Sequence, residues 1–476
     1  MTAQSIGGAT STQPITYAIE EISRLPAREI LERRRRVIQD ALDPDQAAVI
    51  CAGLPQARNF PANHYPDYRA SSHFLYLTGQ HLAGAVLLVT HTDSTLYQRP
   101  PTKSGALWHG AEKSFGDLSA ELGCQVSALD QLPRDLTRFR DVLSLPMYQD
   151  NTAAQLRDLI GSNVDRHDHV LVEAMVQARL IHDQEAIDQL RIAAHLTKLA
   201  HSASVEATPN ARWAHQLRAA AEAPLTARGA RLAYAPIITP HGEVLHNHNY
   251  HTLLRAGDLI LADIGAETPS GWAGDVTRTW PVSGRWSDTQ RAIYEIILEA
   301  LRASTAIARP GVEYAALHQA SHEVIAQGLI DVGILKGSLS DVLAANSVSL
   351  FFPHGIGHLL GLDVHDMEDL GDHAGYAHGR HRRETFGWSY LRLDRVLRPG
   401  MAVTVEPGFY QVPELLSDPK WAGERAGDYV NWEVLSHFSD VRGIRIEDDL
   451  LITSSGVEVL SHEIPKSINE LSFQVD

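Results

Sequence analysis

The chain has 476 residues, enough for two or three domains and a large core, and its 44% hydrophobic and 21% charged content is that of a globular protein. A net charge of −17 argues against nucleic acid as a partner and fits a cytosolic enzyme. Two cysteines, Cys51 and Cys124, are too few for a disulfide framework, and no apolar run approaches the ~20 residues of a membrane helix. No secretory leader pattern opens the chain, so the expected compartment is the cytoplasm and no membrane partner is expected. The first stretch, MTAQSIGGATSTQP, is polar and small and reads as disordered or loosely tethered. The run Arg33 to Arg36 lies in PAREILERRRRVIQDAL, where Leu31, Val37, Ile38 and Leu42 are the apolar members, and reads as a solvated helix face. AVICAG, HFLYLTG and AVLLVTH, between residues 48 and 91, read as short strands, with TLYQRP after them. DLSAELG and TAAQLRDLIG read as helices, closing a mixed α/β unit near residue 165.

The passage from Val164 to Thr208 reads as one long helical stretch, with Ile187, Leu190, Ile192, Leu196 and Leu199 supplying much of its apolar surface. The expected division is a smaller mixed α/β domain over 1–175 and a larger domain over 176–476, within an α+β fold class. YAPIITPHGEVLH reads as loop and strand, SDTQRAIYEIILEALRASTAI and YAALHQASHEVIAQG as helices, and AVTVEPGFY and GIRIEDDLLIT as strands. No internal repeat is visible.

The stretch GDLILADIGAETPSGWAGDVTRTWPVSG, residues 257 to 284, reads as two antiparallel strands around a Gly- and Pro-containing loop. Each strand carries one acid, Asp263 or Asp275, where a core-facing apolar residue belongs. A lone buried carboxylate is costly, and two close together are worse unless a cation lies between them. From this stretch alone a metal, or one turn acid plus one surface pair, explains the acids equally well. Further donors interrupt apolar or Gly-rich runs downstream. His354, His358 and His365 fall in PHGIGHLLGLDVHD, which lacks the acid and the helix of an HExxH site. Glu406 ends an apolar strand, and Glu447 interrupts another, with Arg445 two residues before it on the same strand face. Asp263, Asp275, His358, Glu406 and Glu447 together carry four negative charges, which two divalent ions cancel. These mostly hard oxygen donors suit Mn²⁺ or Mg²⁺, with Zn²⁺, Co²⁺ and Fe²⁺ as alternatives. Two such ions roughly 3.5–4 Å apart generate hydroxide near neutral pH, so the set predicts metal-assisted hydrolysis.

In these motifs the sequence resembles the pita-bread metallopeptidases, in the branch containing aminopeptidase P and prolidase. LADIG, AGDVTRTWPV, HGIGHLLGLDVHD, TVEPGFY and GIRIEDD agree with that family's ligand order, and the resemblance runs from about residue 175 to the end. It implies a pita-bread catalytic domain with two divalent ions, Mn²⁺ first, and Zn²⁺, Co²⁺ or Mg²⁺ as alternatives. It makes Asp263 a chelating ligand of one ion, Asp275 and Glu447 bridging carboxylates, and His358 and Glu406 ligands of the other. It also implies that Glu406 accepts the proton of the attacking water, that His246 lies near the substrate, and that His365 steadies the scissile carbonyl. His354 and Arg445 would then be supporting residues. A homo-oligomer, dimer or tetramer, is implied at the family level.

ARNFPANHYPDYRASSHFLYLTGQHLAGAVLLV resembles the N-terminal domain of aminopeptidase P, and Trp108 resembles a tryptophan that can border the mouth of the site. The implied activity is release of the N-terminal residue from peptides with proline second. The alternatives are an Xaa-Pro dipeptidase with possible organophosphate side activity, and a non-catalytic binding module of the same fold. The long stretches 367–395 and 411–442 depart from compact family members. HGRHRR, residues 378 to 383, reads as a solvated loop, with anchoring of a substrate carboxylate as the other reading.

Overall fold

The computed structural model describes residues 17–60, 68–161, 168–420 and 426–472. MTAQSIGGATSTQP lies outside them, as do residues 61–67 of the aminopeptidase P-like run and residues 421–425 of the second long loop. Among the described residues no helix is long and apolar enough to cross a membrane.

The N-terminal part is a five-stranded mixed sheet. Its order is Gln125–Ala128, Ser94–Gln98, Val86–Thr90, Gln46–Cys51, Asp141–Ser144, with the outer pairs parallel and the inner pairs antiparallel. HFLYLTG is not one of its strands. It is the helix Ser72–Thr78, with the Ser71 hydroxyl accepting from the Phe74 N–H at its start and Gly79 at φ 63° closing its end. All seven of its residues are buried, so no polar face exists to reveal a helical period.

In the run Arg33 to Arg36, Arg33 and Arg36 lie on the expected solvated face, and the two arginines between them do not. In the helix Arg28–Ala41, Arg34 and Arg35 are 2% and 1% exposed. Arg34 forks onto Asp183 at 3.0 Å and Glu185 at 2.6 Å, and Arg35 donates to the carbonyls of Leu77 and Leu122. Burial of a guanidinium is tolerated only because these acceptors replace its water.

The long helical passage is two helices, His169–Arg179 and Gln184–Ala207, broken where the Asp183 carboxylate accepts from the Ala186 N–H. The division expected at 175/176 falls inside the first of them. Two helical pairs then flank the C-terminal strands: Gln184–Ala207 with Ala214–Thr226, and Asp288–Ile307 with Tyr314–Asp331. The pairs are tied alike. Ser204 Oγ donates to the Leu217 carbonyl at 3.0 Å, and Ser304 Oγ donates to the Leu317 carbonyl at 2.8 Å. The likeness is of structure, in a chain whose sequence shows no repeat.

Between the pairs, Leu259–Ile264 lies antiparallel to both Ile237–Thr239 and Val276–Pro281. A second ribbon pairs Ala402–Val405 with Asp448–Ile452 and, further along, Gly408–Tyr410 with Gly443–Arg445. AVTVEPGFY and GIRIEDDLLIT are therefore each two strands, and both break at the acid.

Candidate metal centre

Both breaks have the same cause. The Glu406 N–H leaves the ribbon for the Ile356 carbonyl at 2.8 Å, and the Glu447 N–H leaves it for the Thr277 carbonyl at 3.0 Å. Each acid is thus pinned to the element that carries another donor. Val276–Pro281 pairs in a register that sets Thr277 opposite Asp263, which puts Asp275 diagonally across on the same face. The histidine loop runs beside Ala402–Val405, with the Thr404 N–H donating to the His358 carbonyl at 3.0 Å. Gly357, at φ 148°, allows this approach, because a Cβ there would lie 2.5 Å from the Thr404 carbonyl oxygen.

Every residue singled out from the sequence as a ligand or supporting group lines one cavity of about 370 Å³: Asp263, Asp275, His358, Glu406 and Glu447, with His246, His354, His365 and Arg445. Asp275, His358 and Glu447 each offer a ligand atom within 4.8 Å of one another. Nδ1 of His358 donates to the Leu359 carbonyl at 3.0 Å, leaving the lone pair of Nε2 facing Asp275 at 3.3 Å and Glu406 at 3.6 Å. Lone pairs facing one another at such distances, in a buried site, fit a bound cation. Asp263 instead accepts from the Arg445 guanidinium and from the Tyr234 hydroxyl, and that hydroxyl also reaches Asp275 at 2.6 Å.

The electrostatics agree. Burial pushes the Glu406 carboxyl up to about 8 and raises Asp263, Asp275 and Glu447, whose neighbouring negative charges add to the effect for Asp263 and Glu447. Burial lowers His358 to about 4 and His354 to about 3, so both rings are uncharged near neutral pH and His358 has a lone pair to offer. The donor set fits hard divalent ions.

A pH dependence follows for chelator-stripped protein. A carboxyl whose folded pKa is raised binds its proton more tightly when folded. The contribution of Glu406 to metal-free stability is therefore fully present below the ordinary 4.5 and is lost as pH rises through about 8. In chelator, the melting temperature of wild type relative to Glu406→Gln should decline across that window, and saturating Mn²⁺ should remove the decline. A flat difference in chelator would mean that the acids are not crowded.

Several neighbours had no sequence signal. Tyr234 sits in ARLAYAPIIT with nothing to mark it as the hydroxyl between two acids. Thr277 Oγ1 donates to Glu447 at 2.7 Å and accepts from Arg445 Nε at 2.9 Å. Tyr410 OH accepts from Arg445 and lies 2.9 Å from His354 Nε2. Arg392 donates to His365 Nδ1 at 3.2 Å and pairs with Glu368 at 2.5 Å. In HGRHRR, Arg380 is paired with Glu313 and Asp394, while Arg382 reaches the cavity wall and pairs with Asp372. Trp108 does not line the cavity; it is 76% exposed on the helix Lys103–His109.

Comparison with known proteins identifies the family. Residues 188–454 match metallopeptidase family M24, and residues 31–142 match the aminopeptidase P N-terminal domain. The chain is 30% identical to the Xaa-Pro aminopeptidase of Escherichia coli, over 94% of this chain and 97% of that protein. It is 31% identical to a probable Xaa-Pro aminopeptidase of Fusarium vanettenii, over 85% and 86% of the two chains. The solved structure of Pseudomonas aeruginosa aminopeptidase PepP superposes with a TM-score of 0.77 at 28% identity, covering 94% of this chain and 98% of that one. Escherichia coli aminopeptidase P with the inhibitor Pro-Leu gives 0.75 at 29%, with coverage of 94% and 98%. These matches place the protein in metallopeptidase family M24, with an aminopeptidase P N-terminal domain ahead of its catalytic part.

Proposed function

We propose that the protein is a metal-dependent Xaa-Pro aminopeptidase, which hydrolyses the bond before a proline in second position and releases the N-terminal residue. The observation that carries this reading is the convergence of four acids and His358 on one cavity, in a chain whose relatives along nearly its whole length are named Xaa-Pro aminopeptidases. Asp263, Asp275, His358, Glu406 and Glu447 would hold two divalent ions, Mn²⁺ first. Such ions supply Lewis acidity and a nucleophile available near neutral pH.

The chain's own groups do the rest. A carboxylate oxygen of Glu406 takes the proton of the attacking water. His246 and His365 have pKa values lowered mainly by burial, so each is an uncharged donor for the scissile carbonyl oxygen rather than a cation. Arg445 offsets the carboxylate charge and, through Tyr410, steadies His354. A peptide bond to proline has no N–H, so none of these groups needs one from the substrate.

The test is hydrolysis of matched Xaa-Pro dipeptides and Xaa-Pro-Yaa peptides by Mn²⁺-loaded protein. Cleavage of the longer peptides supports the reading. Cleavage of dipeptides alone would make the protein a dipeptidase, with Arg382 at the cavity wall as the group to examine. Exposed Trp108 and Leu107 support a homo-oligomeric reading, dimer or tetramer, which light scattering checks.

A further inference from the structure

His365 sits in a loop that does not hold itself. Its ring meets His358 edge-on, with centroids 4.4 Å apart, and Arg392 donates to its Nδ1. Its side chain is 39% exposed. Behind it lies a second cavity, of about 510 Å³, walled by Arg69, His73, Tyr148, Asp363 and Asp369, and His365 borders this cavity as well as the metal-site cavity. Open space on both sides means that packing alone does not fix the imidazole. Two residues further on, Met367 is buried with φ 60°, a left-handed conformation that a residue with a side chain keeps only when its surroundings enforce it.

The enforcing contacts come from before the catalytic strands. Arg179 donates to His73 Nδ1 at 2.8 Å and to Asp366 at 2.6 Å. Because Nδ1 of His73 accepts, the ring proton is on Nε2, which donates to Asp369 at 2.8 Å. Tyr148 OH donates to the Asp369 carbonyl at 3.0 Å, and Ser72 Oγ donates to Asp363 at 2.6 Å. Arg69 bridges the Leu362 carbonyl, the Gly271 carbonyl and Glu267 Oε2, and so ties this loop to the turn between the strands that carry Asp263 and Asp275.

We infer that His73 is a positioning residue for the hydrolysis. The Arg179–His73–Asp369 chain lets the N-terminal domain hold the 361–370 loop where His365 meets the substrate carbonyl. His73 lines the second cavity but touches neither the metal-site cavity nor a ligand of the metal centre. It acts only through the loop, and its imidazole is the part of that chain that both accepts from a buried cation and donates to an acid. The inference rests on the peptidase reading and on the part given there to His365.

The test is a double-mutant cycle between His73 and His365, read on an Xaa-Pro-Yaa peptide with metal content measured for each protein. His73→Leu should lower kcat by roughly 10- to 100-fold, the size expected when a reacting group is displaced by about 1 Å. KM and bound metal should stay unchanged. In a His365→Ala background the same substitution should cost nothing further. His73→Gln, which can still accept and donate, should recover most of kcat. An equal loss in the His365→Ala background, loss of metal in His73→Leu, or an unchanged kcat would each overturn the inference while wild type remains active. An inactive, metal-loaded wild type would instead sink the peptidase reading, and this inference with it.

Discussion

Replacing Asp275 by alanine is expected to abolish bound metal and lower kcat/KM by at least roughly 10³-fold, about 4 kcal/mol of transition-state stabilisation. Asp275 is the acid at the centre of the group: one oxygen faces His358 Nε2 at 3.3 Å, and the other lies 2.6 Å from the Tyr234 hydroxyl. Its backbone N–H is fixed by Asp449 at 3.1 Å, so the side chain arrives already aimed. Removing it takes a donor from the only set of three that lies within 4.8 Å among the described residues. The same substitution should make chelated protein more heat-stable than chelated wild type above neutral pH, because one buried negative charge is gone from a site where desolvation already raises every acid. Mn²⁺ should then raise the melting temperature of wild type but not of the variant. Retained metal and near-normal turnover would refute the central place given to Asp275.

Arg278→Met is expected to destabilise the protein by about 3–5 kcal/mol, the cost of leaving a buried charge without its partner. Arg278 is 1% exposed, and its guanidinium meets five acceptors. Nε donates to the Pro465 carbonyl at 2.8 Å, and Nη1 donates to the carbonyls of Thr277 at 2.9 Å and Glu447 at 2.6 Å. Nη2 donates to Asp448 at 2.8 Å and to the Ile464 carbonyl at 3.1 Å. Methionine fills part of the volume, but it strands Asp448, itself 1% exposed, with Lys466 as its remaining cation. It also takes away the Arg278 donor to the Glu447 carbonyl, so metal affinity should fall along with stability. Urea unfolding of the metal-loaded proteins reads the first effect and metal titration reads the second. A change below about 1 kcal/mol would show that water replaces the guanidinium at no net loss.

The candidate site was legible because each of its acids breaks an apolar run, and a buried acid has few inexpensive explanations. Asp263 in LILADIG and Glu447 in GIRIEDD are of this kind. The strand breaks at Glu406 and Glu447 were not legible, since they arise from hydrogen bonds to Ile356 and Thr277, far away in the chain. HFLYLTG is buried all round, and in a buried segment helix and strand leave the same trace. Arg34 and Arg35 belong to a charge run whose acceptors, Asp183 and Glu185 among them, lie far along the chain, so a solvated face was the natural expectation and burial is the fact. Tyr234 is invisible for the plainest reason: one hydroxyl among fourteen tyrosines has no pattern.

The pinning of Glu406 and Glu447 to distant elements bears on how the chain is made. At roughly 5–20 residues per second, on the order of ten seconds or more separate the synthesis of Asp263 from that of Glu447. Until then the early strands present Asp263 and Asp275 with Tyr234 between them, but without the Arg445 guanidinium that balances Asp263 in the finished fold. The last ribbon strand brings Arg445 and Glu447 together, so charge balance and the full donor set arrive in one event. A growing chain should therefore show little affinity for divalent ions until that strand docks. Ion capture would then mark the end of folding in this part of the molecule rather than begin it.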